Sequence, residues 1–511
     1  MRRHVLDLIA LGSLGLIAGC PDRAVSEVNT LPQGATTKEI PVSADIDILF
    51  VIDNSSSTSD KQALFQMNFT NFVTALDAFP TGRPNLHIGV VTSSVDDGTA
   101  AAALSPTGCP SPNTSQNGLL QEGSAVTGRY ISDIATAAGS GAPRQTNYSG
   151  GDLSAAFASI ASVGTGGCGF EAELEAMKRA LDGTTNAMNA GFIRPPAYLA
   201  VIILTDEDDA SIKDGSAGNA VFSLPAASVG GLSDFRVQPM FSYNCDQQIT
   251  AGSGSAFYTN CVPRTDSYLQ DPAYYSSFLA SVKDPARTVV AIIAAPPPPP
   301  FLTADNPPQA ANITYGAGAN TIGIGSVTFT SESQTQNPAL LPSCSTTLAD
   351  GAAIGRPAVR LAAFLSAYGD RGKFYNICQP NYGDALTDIG NTLFNAISPC
   401  LEGTLDTRDS DPNDPGVQLQ CTVNDVLNIG GSDQTETLMP ACKMTNSANG
   451  AAMCNTAPCP DPSQTLPCWW SDNNPSGCPA PDTGYEINFY RSTPAASGTT
   501  ESVQCAVGSA G

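Results

Sequence analysis

Ile46-Asp47-Ile48-Leu49-Phe50-Val51-Ile52 runs straight into Asp53-Asn54-Ser55-Ser56-Ser57. The first seven residues are almost wholly apolar and rich in β-branched side chains. That is the signature of a strand buried on both faces, as in a parallel sheet. Working outward, Phe65, Phe69, Phe72, Leu76 and Phe79 recur at helical spacing, so a helix follows the turn. Leu86–Val91, Tyr198–Leu204 and Val289–Ile293 repeat the strand pattern, and Lys373–Ile377 repeats it more weakly. Between them lie helical stripes at Phe170, Leu174, Met177 and Leu181, at Tyr274, Phe278 and Val282, and at Leu361, Leu365 and Tyr368. A last stripe at Leu386, Ile389, Leu393 and Ile397 closes the series. Alternating strands and helices predict an α/β domain over 44–399, doubly wound around a mostly parallel sheet.

Two long insertions interrupt this alternation. Residues 96–150 are rich in Gly, Ser, Thr and Ala and hold Cys109, while 210–265 hold Cys245 and Cys261, close enough to clip the loop on itself. From Cys400 to Gly511 the composition shifts to Pro, Asn, Asp, Ser and clustered cysteines, which predicts a small disulfide-rich β module. Val417–Leu419 and Tyr485–Tyr490 are its candidate strands. The acidic run Asp406–Asp414 fails as a calcium loop. Aligning Asp409, Asp411 and Asn413 to an EF-hand puts Asp414 where glycine is required and Gln420 where a bidentate glutamate belongs.

The amino terminus reads Arg2-Arg3, an apolar run from Val5 to Ile17, then Ala18-Gly19-Cys20. A charged start, a short apolar segment and small residues before the cut form an export signal, too short for a spanning helix of ~20 apolar residues. The ending resembles a bacterial lipobox. That resemblance implies removal of residues 1–19, a lipid anchor on Cys20, a tether over 20–43, and residence on the cell envelope, in the periplasm or on the outer surface. Of fifteen cysteines, fourteen would then remain for pairing in an oxidising compartment. None forms a close CxxC pair, which argues against a zinc site. A net charge of -24 argues against nucleic acid as a partner. With His4 in the signal, His87 is the one imidazole left, which rules out multi-histidine metal centres.

Asp53, Ser55 and Ser57 sit where a strand meets a helix, and the next central strand ends in Leu204-Thr205-Asp206. Two carboxylates at the carboxyl edge of one sheet lie where open α/β sheets bind ligands. Here the chain resembles the von Willebrand factor type A domain family, whose Rossmann-like fold carries a metal-ion-dependent adhesion site. The resemblance implies that Ser55 and Ser57 ligate a cation directly, with Asp53 and Asp206 holding its waters. It implies Mg²⁺ as the metal and a protein ligand whose acidic side chain completes the sphere. The family's middle-loop threonine falls at Cys168 when counted back from Leu174, and Thr165 lies three residues earlier as the hydroxyl to expect. After Asp206, where the family has glycine, Glu207, Asp208 and Asp209 read as a solvated acidic loop; brought to the metal instead, they would let Ca²⁺ or Mn²⁺ compete.

These features point to a non-enzymatic, lipid-anchored adhesion or binding protein. An inert, disulfide-braced envelope lipoprotein is the main rival. A metal-dependent hydrolase working through Asp53 and Asp206 is a weaker one, because no usable histidine, GxSxG elbow or P-loop accompanies them.

Overall fold

The computed structural model describes residues 35–41, 45–79, 82–96, 116–136, 143–223, 242–246, 256–259, 261–297, 321–328, 336–340, 342–348, 351–401, 403, 405–406, 419–427, 433–442, 466–473, 478, 484–491, 495 and 499–507. Cys20 with its export signal, Cys109 and the Asp409–Asn413 run lie outside the described residues. Among the described residues no helix is long and apolar enough to cross a membrane.

The main sheet is built from β2 (Asp45–Ile52), β3 (Asn85–Thr92), β4 (Ile131–Ala135), β5 (Arg144–Thr146), β6 (Tyr198–Leu204), β7 (Thr288–Ala294) and β8 (Gly372–Asn376). Their order is β8-β7-β6-β2-β3-β4-β5. The pairs from β8 to β3 are parallel, and β4 and β5 are added antiparallel at one edge. Period-two alternation divides β2 between two cores. Ile46, Ile48, Phe50 and Ile52 face one layer, and Leu49 and Val51 face the other. The first layer is covered by α1 (Ser59–Asp77), α2 (Leu153–Ile160) and α6 (Gly383–Ile397). The second is covered by α3 (Glu173–Leu181), α4 (Pro272–Val282) and α5 (Val359–Leu365). Phe50 anchors the first layer, its ring 4.8 Å from Phe157 and 5.7 Å from Phe65, edge-on to both. Truncating it to alanine should cost about 3–5 kcal/mol.

Two expectations need correction. Within the stretch read as an insertion over 96–150, β4 and β5 extend the main sheet, and α2 follows directly. Their apolar content is thin because edge strands bury little, so alternation was weak there. Within the stretch read as a tether, Ala35–Pro41 is a strand, β1, lying antiparallel to the last of the described strands.

That last strand belongs to the C-terminal module, whose sheet orders β1, β13 (Thr499–Ala506), β9 (Cys421–Leu427) and β10 (Thr435–Met439). A hairpin of β11 (Cys468–Asn473) and β12 (Tyr485–Tyr490) packs beside it. Val423, Val503, Ile487 and Trp469 make a small core. Cys400–Cys478, Cys421–Cys505 and Cys442–Cys468 brace it, which compensates for that thin core. Lys38 donates to the carbonyl of Asn395 at 2.5 Å, near the end of α6. The module therefore meets the main domain where β2 begins, at the amino edge of the sheet. Asp53 lies at the opposite edge, about 25 Å away along β2.

Candidate metal centre at the carboxyl edge of the sheet

Strand order reverses between β6 and β2, with β7 and β8 running one way and β3 and β4 the other. This is the topological switch point, where the connections diverge and leave a crevice at the carboxyl ends. The Asp53 amide still donates to the carbonyl of Leu204 at 2.9 Å, so the two strand ends are pinned together. Beyond that bond the chain turns. One Asp53 carboxylate oxygen accepts the Ser55 amide at 2.8 Å, and the other accepts the Thr205 hydroxyl at 2.9 Å. Ser55 and Ser57 hydroxyls lie 3.1 Å apart, and Ser57 donates to Asp206 Oδ1 at 3.0 Å. Four of the five residues expected from sequence thus meet in one connected set.

Backbone locks hold this turn in shape. Gln62 donates to the Asp53 carbonyl at 2.7 Å and to the Gly164 carbonyl at 2.9 Å, tying α1 to the middle loop. Thr58 donates to the Asp53 and Ser55 carbonyls. The Gly167 amide donates to the Asn54 carbonyl at 2.8 Å. A Cβ at Gly167 would lie 2.1 Å from Asn54 Oδ1, so only glycine allows this approach.

The fifth residue stands apart. Thr165 is exposed, and among the described residues no hydrogen bond ties it to the other four. Cys168 is buried and disulfide-bonded, so its sulfur is not a thiolate ligand.

In place of a middle-loop hydroxyl the structure brings two glutamates. Carboxylate oxygens of Asp53, Glu171 and Glu173 all lie within 4.8 Å of one another, and all three residues are buried. Both Glu173 oxygens lack a hydrogen-bond partner among the described residues. The sequence held only a faint signal for them. Acids at the first turn of a helix, as Glu173 is in α3, are ordinary partners of the helix dipole.

The loop read as solvated is also buried, with Glu207 5 % exposed and Asp208 and Asp209 fully enclosed. Cations from distant sequence make this possible. Arg356 pairs with Glu207, and Arg360 pairs with Asp209 at 3.1 Å. Asp208 accepts the Arg360 amide at 2.9 Å and the Tyr243 hydroxyl at 2.7 Å. Tyr243 precedes the Cys245–Cys261 disulfide expected from sequence. Lys61 pairs with Asp206 at 2.8 Å. Asp53 and Glu173 form no ion pair among the described residues. Burial, then the Asp206 carboxylate, push Asp53 up to about 7. Burial, then Asp53 and Asp209, push Glu173 well above the usual carboxylate range. Uncompensated buried carboxylates beside hydroxyl oxygens form a donor set suited to a hard divalent cation.

No family model matches the chain, and no curated protein does. Among solved structures, the pilus adhesin RrgA from Streptococcus pneumoniae aligns at 9% identity and a TM-score of 0.24, over 92% of this chain and 57% of the adhesin. This chain therefore spans little more than half the length of that protein.

Proposed function

We propose that this protein is a lipid-anchored envelope protein whose von Willebrand factor type A-like domain binds a protein partner through a divalent cation at the carboxyl edge of its sheet. The observation that carries this reading is the meeting of Asp53, Ser55, Ser57 and Asp206 at the switch point, beside the clustered buried carboxylates of Glu171 and Glu173. A bound cation would supply positive charge and an open coordination position for an acidic side chain of the partner. Asp53 and its neighbours would hold the cation, while Gln62, Thr58 and Gly167 keep the turn from collapsing over it. The disulfides support export to an oxidising compartment. With β1 beginning fifteen residues after Cys20 and the module at the amino edge, the cation-binding edge would face away from the membrane.

The test is thermal melting of the stripped protein with and without Mg²⁺ or Ca²⁺, on wild type and Asp53→Ala, followed by partner binding with and without EDTA. The reading requires cation-dependent stabilisation that the variant lacks, and partner binding that EDTA abolishes. No response to either ion would favour an inert scaffold. A response with turnover of an ester or phosphate panel would favour a hydrolase.

A further inference from the structure

Lys61 divides the carboxyl edge into two halves. Its ammonium sits 2.8 Å from Asp206 Oδ2 and donates to the Ser57 carbonyl at 2.9 Å. The side chain is only 4% exposed, so this charge is a fixed part of the site. Ser57 and Asp206 are the residues that the family resemblance gives to the metal, and they already have a resident cation. A divalent ion placed among them would meet like charge at short range in a poorly screened setting. The other half has the opposite problem. Asp53, Glu171 and Glu173 bring their oxygens within 4.8 Å of one another, and Glu173 is fully buried with both oxygens unpartnered. An enclosed carboxylate that no described donor serves is costly in its charged form, and a proton or a bound cation relieves that cost.

We propose that the cation of this site is Ca²⁺ held by Asp53, Glu171 and Glu173, displaced toward the middle loop from the Ser57–Asp206 half that Lys61 occupies. This rests on the proposed cation-binding function and deepens it by naming ligands and ion. Calcium follows from the donor set. Magnesium keeps most of its waters and commonly takes one or two carboxylates in strict octahedral geometry. Calcium accepts several carboxylates, mono- or bidentate, in irregular arrangements. The backbone already fixes these donors: the Ala172 amide donates to the Ser93 carbonyl at 3.0 Å, and the Ala210 amide to the Glu171 carbonyl at 2.7 Å. The loop carrying both glutamates is thus stapled to β3 and to the acidic segment after β6.

The experiment is calorimetric titration of the EDTA-stripped, detergent-solubilised full chain with CaCl₂ and with MgCl₂, on wild type, Glu173→Gln and Ser57→Ala. Calcium should bind wild type at least tenfold tighter than magnesium. Glu173→Gln should weaken calcium binding by tenfold or more, and by a larger factor than Ser57→Ala does. Because Glu173→Gln replaces an acid enclosed among other acids with a neutral isostere, its metal-free melting temperature should rise above that of wild type, a readout independent of binding. Loss of binding in Ser57→Ala with none in Glu173→Gln would return the ion to the hydroxyl half and overturn this assignment alone. Tighter magnesium than calcium would overturn it as well. No binding of either ion to wild type would overturn the assignment together with the functional reading beneath it.

Discussion

Strand β2 carries a buried aspartate near each end, and the protein treats the two in opposite ways. At the amino edge, Asp47 accepts Arg194 Nε at 2.7 Å and the Arg194 amide at 2.6 Å. The guanidinium also bridges the carbonyls of Ile46 and Asn85 at 3.0 Å. Lys283 caps the carbonyls of Arg194 and Pro195 at 2.9 and 3.0 Å, and so holds the arginine in place. At the carboxyl edge, Asp53 meets hydroxyls, one amide and other acids. A shared strand and equal burial show that enclosure alone does not make a site. What distinguishes Asp53 is that none of the described residues supplies it a counter-charge.

The largest way to break this comparison is at the amino edge. Arg194→Met would leave Asp47 enclosed without its partner, which should cost about 3–5 kcal/mol. Urea unfolding should show that loss equally in calcium and in EDTA. A cost below ~1 kcal/mol would mean that Asp47 does not need its arginine, and the contrast would dissolve.

Next comes the cation. At a hundredfold excess over its dissociation constant, an ion that binds only the folded state stabilises by about 2.7 kcal/mol. Wild type should gain that amount in chemical denaturation, and Asp53→Asn should gain none. The same variant should be more stable than wild type when both are metal-free, because it removes an acid that burial and the neighbouring carboxylates disfavour. Arg194→Met and Asp53→Asn would then respond to metal in opposite patterns, which a general softening of the fold could not produce.

Acid–base linkage sharpens the contrast further. Burial outweighs Arg194 and pushes Asp47 up to about 6 from an ordinary 3.8. Between those values the folded state keeps a proton that the unfolded chain has released. Stability from this group is therefore complete below the lower value and falls as pH rises to the upper one. The drop is about 2–3 kcal/mol at most. Denaturation of wild type and Asp47→Asn from pH 4 to 7 should show wild type losing more, with the difference levelling off above about pH 6. A wild type that gained stability relative to Asp47→Asn across that window would reverse the sign and refute the buried-acid account.

Much of this architecture was readable because parallel strands enclosed on both faces leave long apolar runs, and Ile46–Ile52 and Tyr198–Leu204 are such runs. The edge strands β4 and β5 escaped because three to five residues with one solvated face carry little pattern. At the site, Asp53, Ser55, Ser57 and Asp206 were legible from their place at strand ends. Glu171 and Glu173 were not, since acids near a helix start are commonplace and their role depends on a neighbour more than a hundred residues away. Glu207, Asp208 and Asp209 read as a solvated loop for the same reason, yet they are buried. Arg356 and Arg360, which make their burial possible, lie about 150 residues downstream.

The smallest predicted effect concerns the residue that sequence placed in the site and geometry leaves outside. Thr165 is exposed, and the loop around it is held by backbone groups on either side, through the Gly164 carbonyl and the Gly167 amide. Its hydroxyl contributes nothing to that hold. Thr165→Val should therefore change stability by less than about 0.5 kcal/mol, as ordinary surface substitutions do. Cation affinity, read by the same calorimetry, should stay within twofold of wild type. A tenfold loss would mean that the middle loop swings its hydroxyl onto the ion when metal arrives. The edge around Asp53 would then be only half assembled in the metal-free chain, whereas the edge around Asp47 is complete without any ligand.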